Sequence, residues 1–169
     1  MGLLGFFKRN KEAPFDAVNE KDIRVVLQHG ILLEDSQVFL RWGESIDLIG
    51  SKTDILKKLF ADRVVYYYGE HLVLNGLKLN LSGTHWYNEV DGDQKTFRFI
   101  EFSCEGDQNV LNEFTFIKDH LAEQFGNSLV REGDEQVNYL EWNISGVKIS
   151  LNLFEKYGVN KLRFEMRKF

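Results

Sequence analysis

The most regular stretch of the chain is helical. Val110, Phe114, Ile117, Leu121 and Phe125 recur at intervals of three and four, which puts them on one face of a helix running from Asp107 or Asn109 to Phe125. Glu113, Asp119 and Glu123 fall off that stripe, and Gly126 stands where a helix can end on a left-handed residue. Downstream the period changes to two. Val147, Ile149, Leu151 and Leu153 alternate with polar residues, as do Leu162, Phe164 and Met166. Strands are predicted at 137–144, 147–154 and 159–168. The turns between them are short, Ser145-Gly146 and Lys156-Tyr157-Gly158, so the three strands form an antiparallel meander.

The first half is less regular. Residues 19–29 fit a helix capped by Asn19, with Ile23, Val26 and Leu27 on one face and Gly30 as its end, but 23–27 also fits a strand. Residues 37–42 read as a strand closed by Gly43. Ser51 or Thr53 caps a predicted helix through Phe60, with Ile55, Leu56, Leu59 and Phe60 as its apolar stripe. Extended pieces follow at 64–68, 72–74 and 77–81. A strand at 96–104 changes phase, with Phe97 and Phe99 on one face and Ile100, Phe102 and Cys104 on the other. A β-bulge, or burial of both faces, accounts for such a change.

The halves echo each other. Each has a helix ending in Phe (Phe60, Phe125), then Gly-[Leu/Val]-Lys-[Leu/Ile]-x-Leu at 76–81 and 146–151, then an Arg-Phe pair at Arg98-Phe99 and Arg163-Phe164. The expectation is an α+β fold: an antiparallel meander sheet with helices packed on one face, in two quasi-repeated helix-plus-three-strand units. The domain spans 15–169, with halves 15–106 and 107–169. Residues 1–14 stand apart as an apolar and basic segment.

Composition narrows the class. The chain has 169 residues, 43% hydrophobic and 28% charged, the mix of an ordinary globular domain. Cys104 is the single cysteine, so no disulfide forms within the chain, and with no secretory signal pattern the expected location is the cytoplasm. A net charge of −5 disfavours nucleic acid as a partner. No run of about 18 apolar residues is present, so no transmembrane segment is expected. Leu3, Leu4, Phe6 and Phe7 beside Lys8 and Arg9 allow at most a weak membrane-surface contact.

Catalytic chemistry finds little support. His29, His71, His85 and His120 lack zinc-site spacing, and one cysteine does not complete a site. Asp91-Gly92-Asp93 lacks the ligand series of a calcium loop. No nucleophile elbow or phosphate-cradling glycine loop occurs. No catalytic residue, cofactor or metal is assigned.

What remains is surface. Trp86, Tyr87, Glu89, Asp91 and Asp93, with Glu113, Asp119 and Glu123 on the long helix, form a candidate acidic and aromatic partner site. Lys78, Lys148, Lys161, Arg163 and Arg167 share a candidate basic sheet face, with Glu165 the single acid among them. The leading expectation is a non-enzymatic protein-binding module. Immunity-type proteins, which neutralise a toxin by capping it, fit this class by size, charge and lack of motifs. One alternative is a small enzyme or ligand-binding protein with a site near residues 85–93, where His85 would act as general base. Another is a peripheral membrane or adaptor protein using residues 3–7.

Overall fold

The computed structural model describes the backbone of residues 15–53, 55–86, 96–105, 108–132 and 138–169. The proposed N-terminal segment 1–14 lies outside these residues. In chain order the elements are α1 (Ile23–His29), β1 (Gly30–Leu33), β2 (Val38–Arg41), α2 (Ile46–Lys52), β3 (Leu56–Leu59), β4 (Arg63–Val73), β5 (Leu77–Trp86), β6 (Phe99–Glu105), α3 (Gln108–Phe125), β7 (Leu129–Glu132), β8 (Asn138–Ile144), β9 (Val147–Lys156) and β10 (Val159–Lys168). The fold is α+β, and every strand pairing is antiparallel.

The apolar alternation builds one large sheet. Its order is β3-β4-β5-β6-β10-β9-β8-β7, and β1-β2 form a separate hairpin. Two four-stranded meanders, β3–β6 and β7–β10, therefore join along β6 and β10. Each follows a helix, α2 or α3. The units thus hold four strands after the helix, one more than the sequence pattern suggests. The added strands, β3 and β7, are four-residue edges too short to display a period.

Short turns connect three pairs of long strands. The three-residue turn Leu74-Asn75-Gly76 and the two-residue turns Ser145-Gly146 and Tyr157-Gly158 have positive φ throughout, and in the two-residue turns this backbone matches the right-handed twist of a hairpin. Between Tyr67 and Gly69 the register of β4 slips. The bulge merges the extended pieces 64–68 and 72–74 into one bent strand and turns Tyr68 into the core.

One face of the sheet carries the core. Leu77, Leu79 and Leu81 of β5, Ile149 and Leu151 of β9, and Phe164 and Met166 of β10 are almost completely buried there. They meet Val110, Ile117 and Leu121 of α3 in one cluster with Leu27, Ile31 and Leu40 from α1 and the hairpin. Each such side chain contributes roughly 1.5–3 kcal/mol on burial. Two indoles fix the helix ends to strands. Trp42 Nε1 donates to the Leu27 carbonyl at 2.7 Å and Trp142 Nε1 to the Gly126 carbonyl at 2.9 Å.

Four sequence expectations are corrected. Asp22, not Asn19, caps α1, accepting from the Arg24 amide at 2.9 Å; Asn19 bonds back to Asp16 in the preceding turn. Gly30 is not a left-handed cap. Its backbone is extended (φ 169°) and starts β1. Glycine is needed there because an added Cβ would collide with the Leu40 carbonyl oxygen and stand 2.7 Å from the Phe39 ring. The helix expected from Ser51 or Thr53 to Phe60 is absent. A helix lies earlier, Ile46–Lys52 after Ser45, and Leu56–Leu59 is an edge strand paired with Val64–Tyr67. The stripe Ile55, Leu56, Leu59, Phe60 fits either period over so few residues, and hairpin pairing satisfies backbone groups that one helical turn would leave open. Phe97 and Phe99 do not share a face: Phe97 joins Ile100 in the core, and it precedes β6. Phe97 is bound to the segment after β2, with Gly43 N donating to Phe97 O and Phe97 N to Glu44 O, and stacks on Trp42 at 5.0 Å; Phe99 is buried on the sheet's other side.

Candidate functional site

The sheet face opposite the helices is a lattice of charged and polar side chains, and strand register decides which of them meet. One transverse row runs Glu141–Ser150–Glu165–Glu101–Ser82 across β8, β9, β10, β6 and β5. The next row on one side is Asn143–Lys148–Arg167–Phe99, and on the other Tyr139–Asn152–Arg163–Ser103.

Glu141 sits at the floor of this lattice and is 4% exposed. Lys148 Nζ is 2.9 Å from its Oε2, Tyr139 Oη donates to the same oxygen at 3.1 Å, and Asn143 Nδ2 donates to Oε1 at 3.0 Å. The Lys148 hydrogen bond above all, with those of Asn143 and Tyr139, outweighs the cost of burial and lowers the Glu141 pKa to about 2. Reciprocally, Glu141 and Tyr139 raise the pKa of Lys148. Nearby, Arg163 reaches Glu165 at 2.6 Å and Glu101 at 3.1 Å, and Thr84 Oγ1 donates to Glu101 at 3.0 Å.

Of the basic residues expected on one face, Lys148, Lys161, Arg163 and Arg167 stand together on β9 and β10, and Lys78 lies apart on β5 in an ion pair with Glu70 at 2.6 Å. Glu165 is not their only acidic neighbour: Glu101 and Glu141 belong to the same face. The expected positive surplus is thereby largely neutralised. Arg167 differs. Among the described residues no carboxylate pairs with it, and its guanidinium lies 4.9 Å from the centroid of the Phe99 ring. A hollow of about 210 Å³ opens beside it, lined by Tyr139, Lys148, Ser150, Glu165, Arg167 and Phe169.

The acidic set is split. Glu113, Asp119 and Glu123 lie on α3, where Asp119 and Glu123 are exposed and share the outward side with Phe116, itself 55% exposed. Tyr87, Glu89, Asp91 and Asp93 lie outside the described residues, as do the side chains of His85, Trp86 and Cys104. The alternative site near residues 85–93 falls there too.

The other histidines have structural partners. His29 packs against Phe15 at 4.2 Å. His71 Nδ1 lies 3.0 Å from Asp35, and His120 Nε2 lies 2.6 Å from the Leu74 carbonyl. The turn after Leu74 is clasped further by Glu34, whose carboxylate accepts from the Asn75 and Gly76 amides at 2.6 and 2.9 Å. Beside it, a hollow of about 260 Å³ has Val18, Ile23, Val26 and Leu32 in its wall and Glu20 and Glu34 at its rim. Both oxygens of Glu34 are committed to the turn, so it is poorly placed to take a ligand cation. No group of three or more His, Cys, Asp or Glu among the described residues is placed to hold a metal ion, and no helix among them is long and apolar enough to cross a membrane.

A third surface was not legible beforehand. On the edge strand β3, Leu56 is 60% and Leu59 70% exposed, and Phe60, next in the chain, is exposed as well. Lys57 and Lys58 project over the rings of Tyr66 and Tyr67, at 5.7 and 5.2 Å from their centroids. Among the described residues β3 pairs on one side only. The apolar stripe that suggested a buried helix was the available signal; it marked an exposed edge instead. No protein-family model, no curated protein and no solved structure matches this chain.

Proposed function

We propose that this chain is a non-enzymatic protein-binding module that docks its partner along the free edge of β3. The carrying observation is the run of exposed Leu56 and Leu59 on β3, with exposed Phe60 just after it, on a strand that among the described residues pairs on one side only. Exposed apolar groups clustered in this way characterise interaction surfaces. An open edge accepts an extended segment as an added strand, with affinity from main-chain hydrogen bonds and specificity from side chains. Lys57 and Lys58 oppose pairing with a basic strand and favour one carrying acids. The partner is therefore an extended, acidic and partly apolar segment of another protein.

A photo-crosslinking residue at position 59, expressed in the source cells, tests this. The expected result is one reproducible protein adduct that disappears when Lys57→Glu and Lys58→Glu are added. Adducts at position 59 no more specific than those at Tyr157, an exposed turn position, would overturn it.

Phe116 supports a second reading. Its exposed ring, one turn from Asp119 and two from Glu123 on the same side, suits a basic partner on the outer side of α3, the form expected of an immunity-type protein capping a toxin. A crosslinker at position 116 separates the two: a basic partner captured there, and lost with Asp119→Lys and Glu123→Lys, selects the second reading.

A further inference from the structure

Two like-charge pairs face each other across strands on the open side of the sheet. Glu101 is opposite Glu165, and Lys148 is opposite Arg167. Like charges directly opposite in an antiparallel pair destabilise it. The acidic pair is resolved internally, because the Arg163 guanidinium bridges both carboxylates at 3.1 and 2.6 Å. The basic pair is resolved on one side only. Glu141 lies 2.9 Å from Lys148 and is itself sunk into the sheet, while Arg167 has no carboxylate partner among the described residues. The hollow of about 210 Å³ opens beside Lys148 and Arg167.

We infer that this hollow, between Lys148 and Arg167 and above Ser150, is a binding site for a small oxyanion, a carboxylate or a phosphate. Arg167 offers a planar fork of donors suited to two oxygens at once. Lys148 has three N–H donors and spends one on Glu141, so another can turn to the ligand. Ser150, almost buried, supplies a hydroxyl, and Tyr139 and Phe169 complete the lining. Glu165 also lines the hollow, but its charge is directed at Arg163. The cations are already in place. Glu141 and Tyr139 favour the charged form of Lys148, and the Phe99 ring, 4.9 Å away by its centroid, supports the guanidinium of Arg167. The volume suits an anion of a few heavy atoms. This site is independent of the β3 edge, and either can fail without the other.

The test is a nuclear magnetic resonance titration of the full chain with sodium phosphate and, separately, sodium acetate, against sodium chloride at matched ionic strength. Saturable shifts are expected at the Arg167 Nε–H and the Ser150 amide with at least one of the two oxyanions, and the stronger of the two identifies the ligand class. Arg167→Gln, at an exposed position, weakens binding by about tenfold or more, the scale of a charge-assisted hydrogen bond. Ser150→Ala weakens it severalfold, and Lys78→Gln, elsewhere on the sheet, leaves it unchanged. Shifts that stay linear and match those in chloride overturn the site, as does saturable binding of equal strength in the Arg167→Gln chain.

Discussion

Replacing Glu141 by Gln removes one negative charge from the floor of the sheet while keeping the side chain's shape. The folded chain holds this carboxyl at a pKa of about 2, against an ordinary value of 4.5. Because the folded-state pKa is the lower one, the ionised carboxylate stabilises the fold above pH 4.5, and that stability is lost as pH falls towards 2. At 1.36 kcal/mol per unit the shift corresponds to about 3 kcal/mol at neutral pH, with more than half of it gone by about pH 3. Exposure does not dilute this figure much, since Glu141 is 4% exposed. The amide of Gln also turns an N–H towards groups that already donate: Lys148, Tyr139 and Asn143. Urea unfolding of the native and Glu141→Gln chains, followed by tryptophan fluorescence at several pH values from 7 to 3, measures the gap. The variant should be less stable by about 3 kcal/mol at pH 7, and the two curves should converge as pH falls. Other carboxylates titrate in both chains, so only the difference carries information. A gap independent of pH, or one below about 1 kcal/mol at pH 7, would refute the role assigned to the Glu141–Lys148 pair.

Three further outcomes follow from the packing. Ile117→Ala, at the centre of the buried stripe of α3, should cost about 2–5 kcal/mol in chemical denaturation through lost burial and a cavity. Gly30→Ala should cost about 1–3 kcal/mol and lower the thermal midpoint, because the added methyl meets the Leu40 carbonyl and the Phe39 ring. Glu34→Ala should cost about 1 kcal/mol, since water reaches this turn; hydrogen exchange should accelerate at the Asn75 and Gly76 amides, which lose their acceptor.

The parts legible in the sequence are those with long, unbroken periods. Helix α3 repeats its apolar positions over five turns, and only a few residues at its start were in doubt. Strands β8 to β10 alternate cleanly, and each of their turns ends on a glycine at positive φ, Gly146 and Gly158. Short elements were not legible. Ile55 to Phe60 satisfies both periods, and only the pairing of Leu56–Leu59 with β4 makes it a strand. Of the candidate site, the alternation placed Lys148, Lys161, Arg163 and Arg167 on one face correctly, because a side chain's face follows from its position along its own strand.

Alternation within one strand is local, and for that reason the sequence by itself determined which residues of each strand point away from the core. It could not determine what stands beside them. Glu101 and Arg163 are far apart in the chain, as are Phe99 and Arg167; they meet because β6 pairs with β10, an association of the two halves that no local pattern encodes. A shift of one residue in that pairing would carry Glu101 to the core side of the sheet and leave Arg163 without one of its partners. The charges on the open face were thus written in the sequence. Their neutralisation, and the placing of Lys148 opposite Arg167 beside one hollow, were decided by register between distant strands.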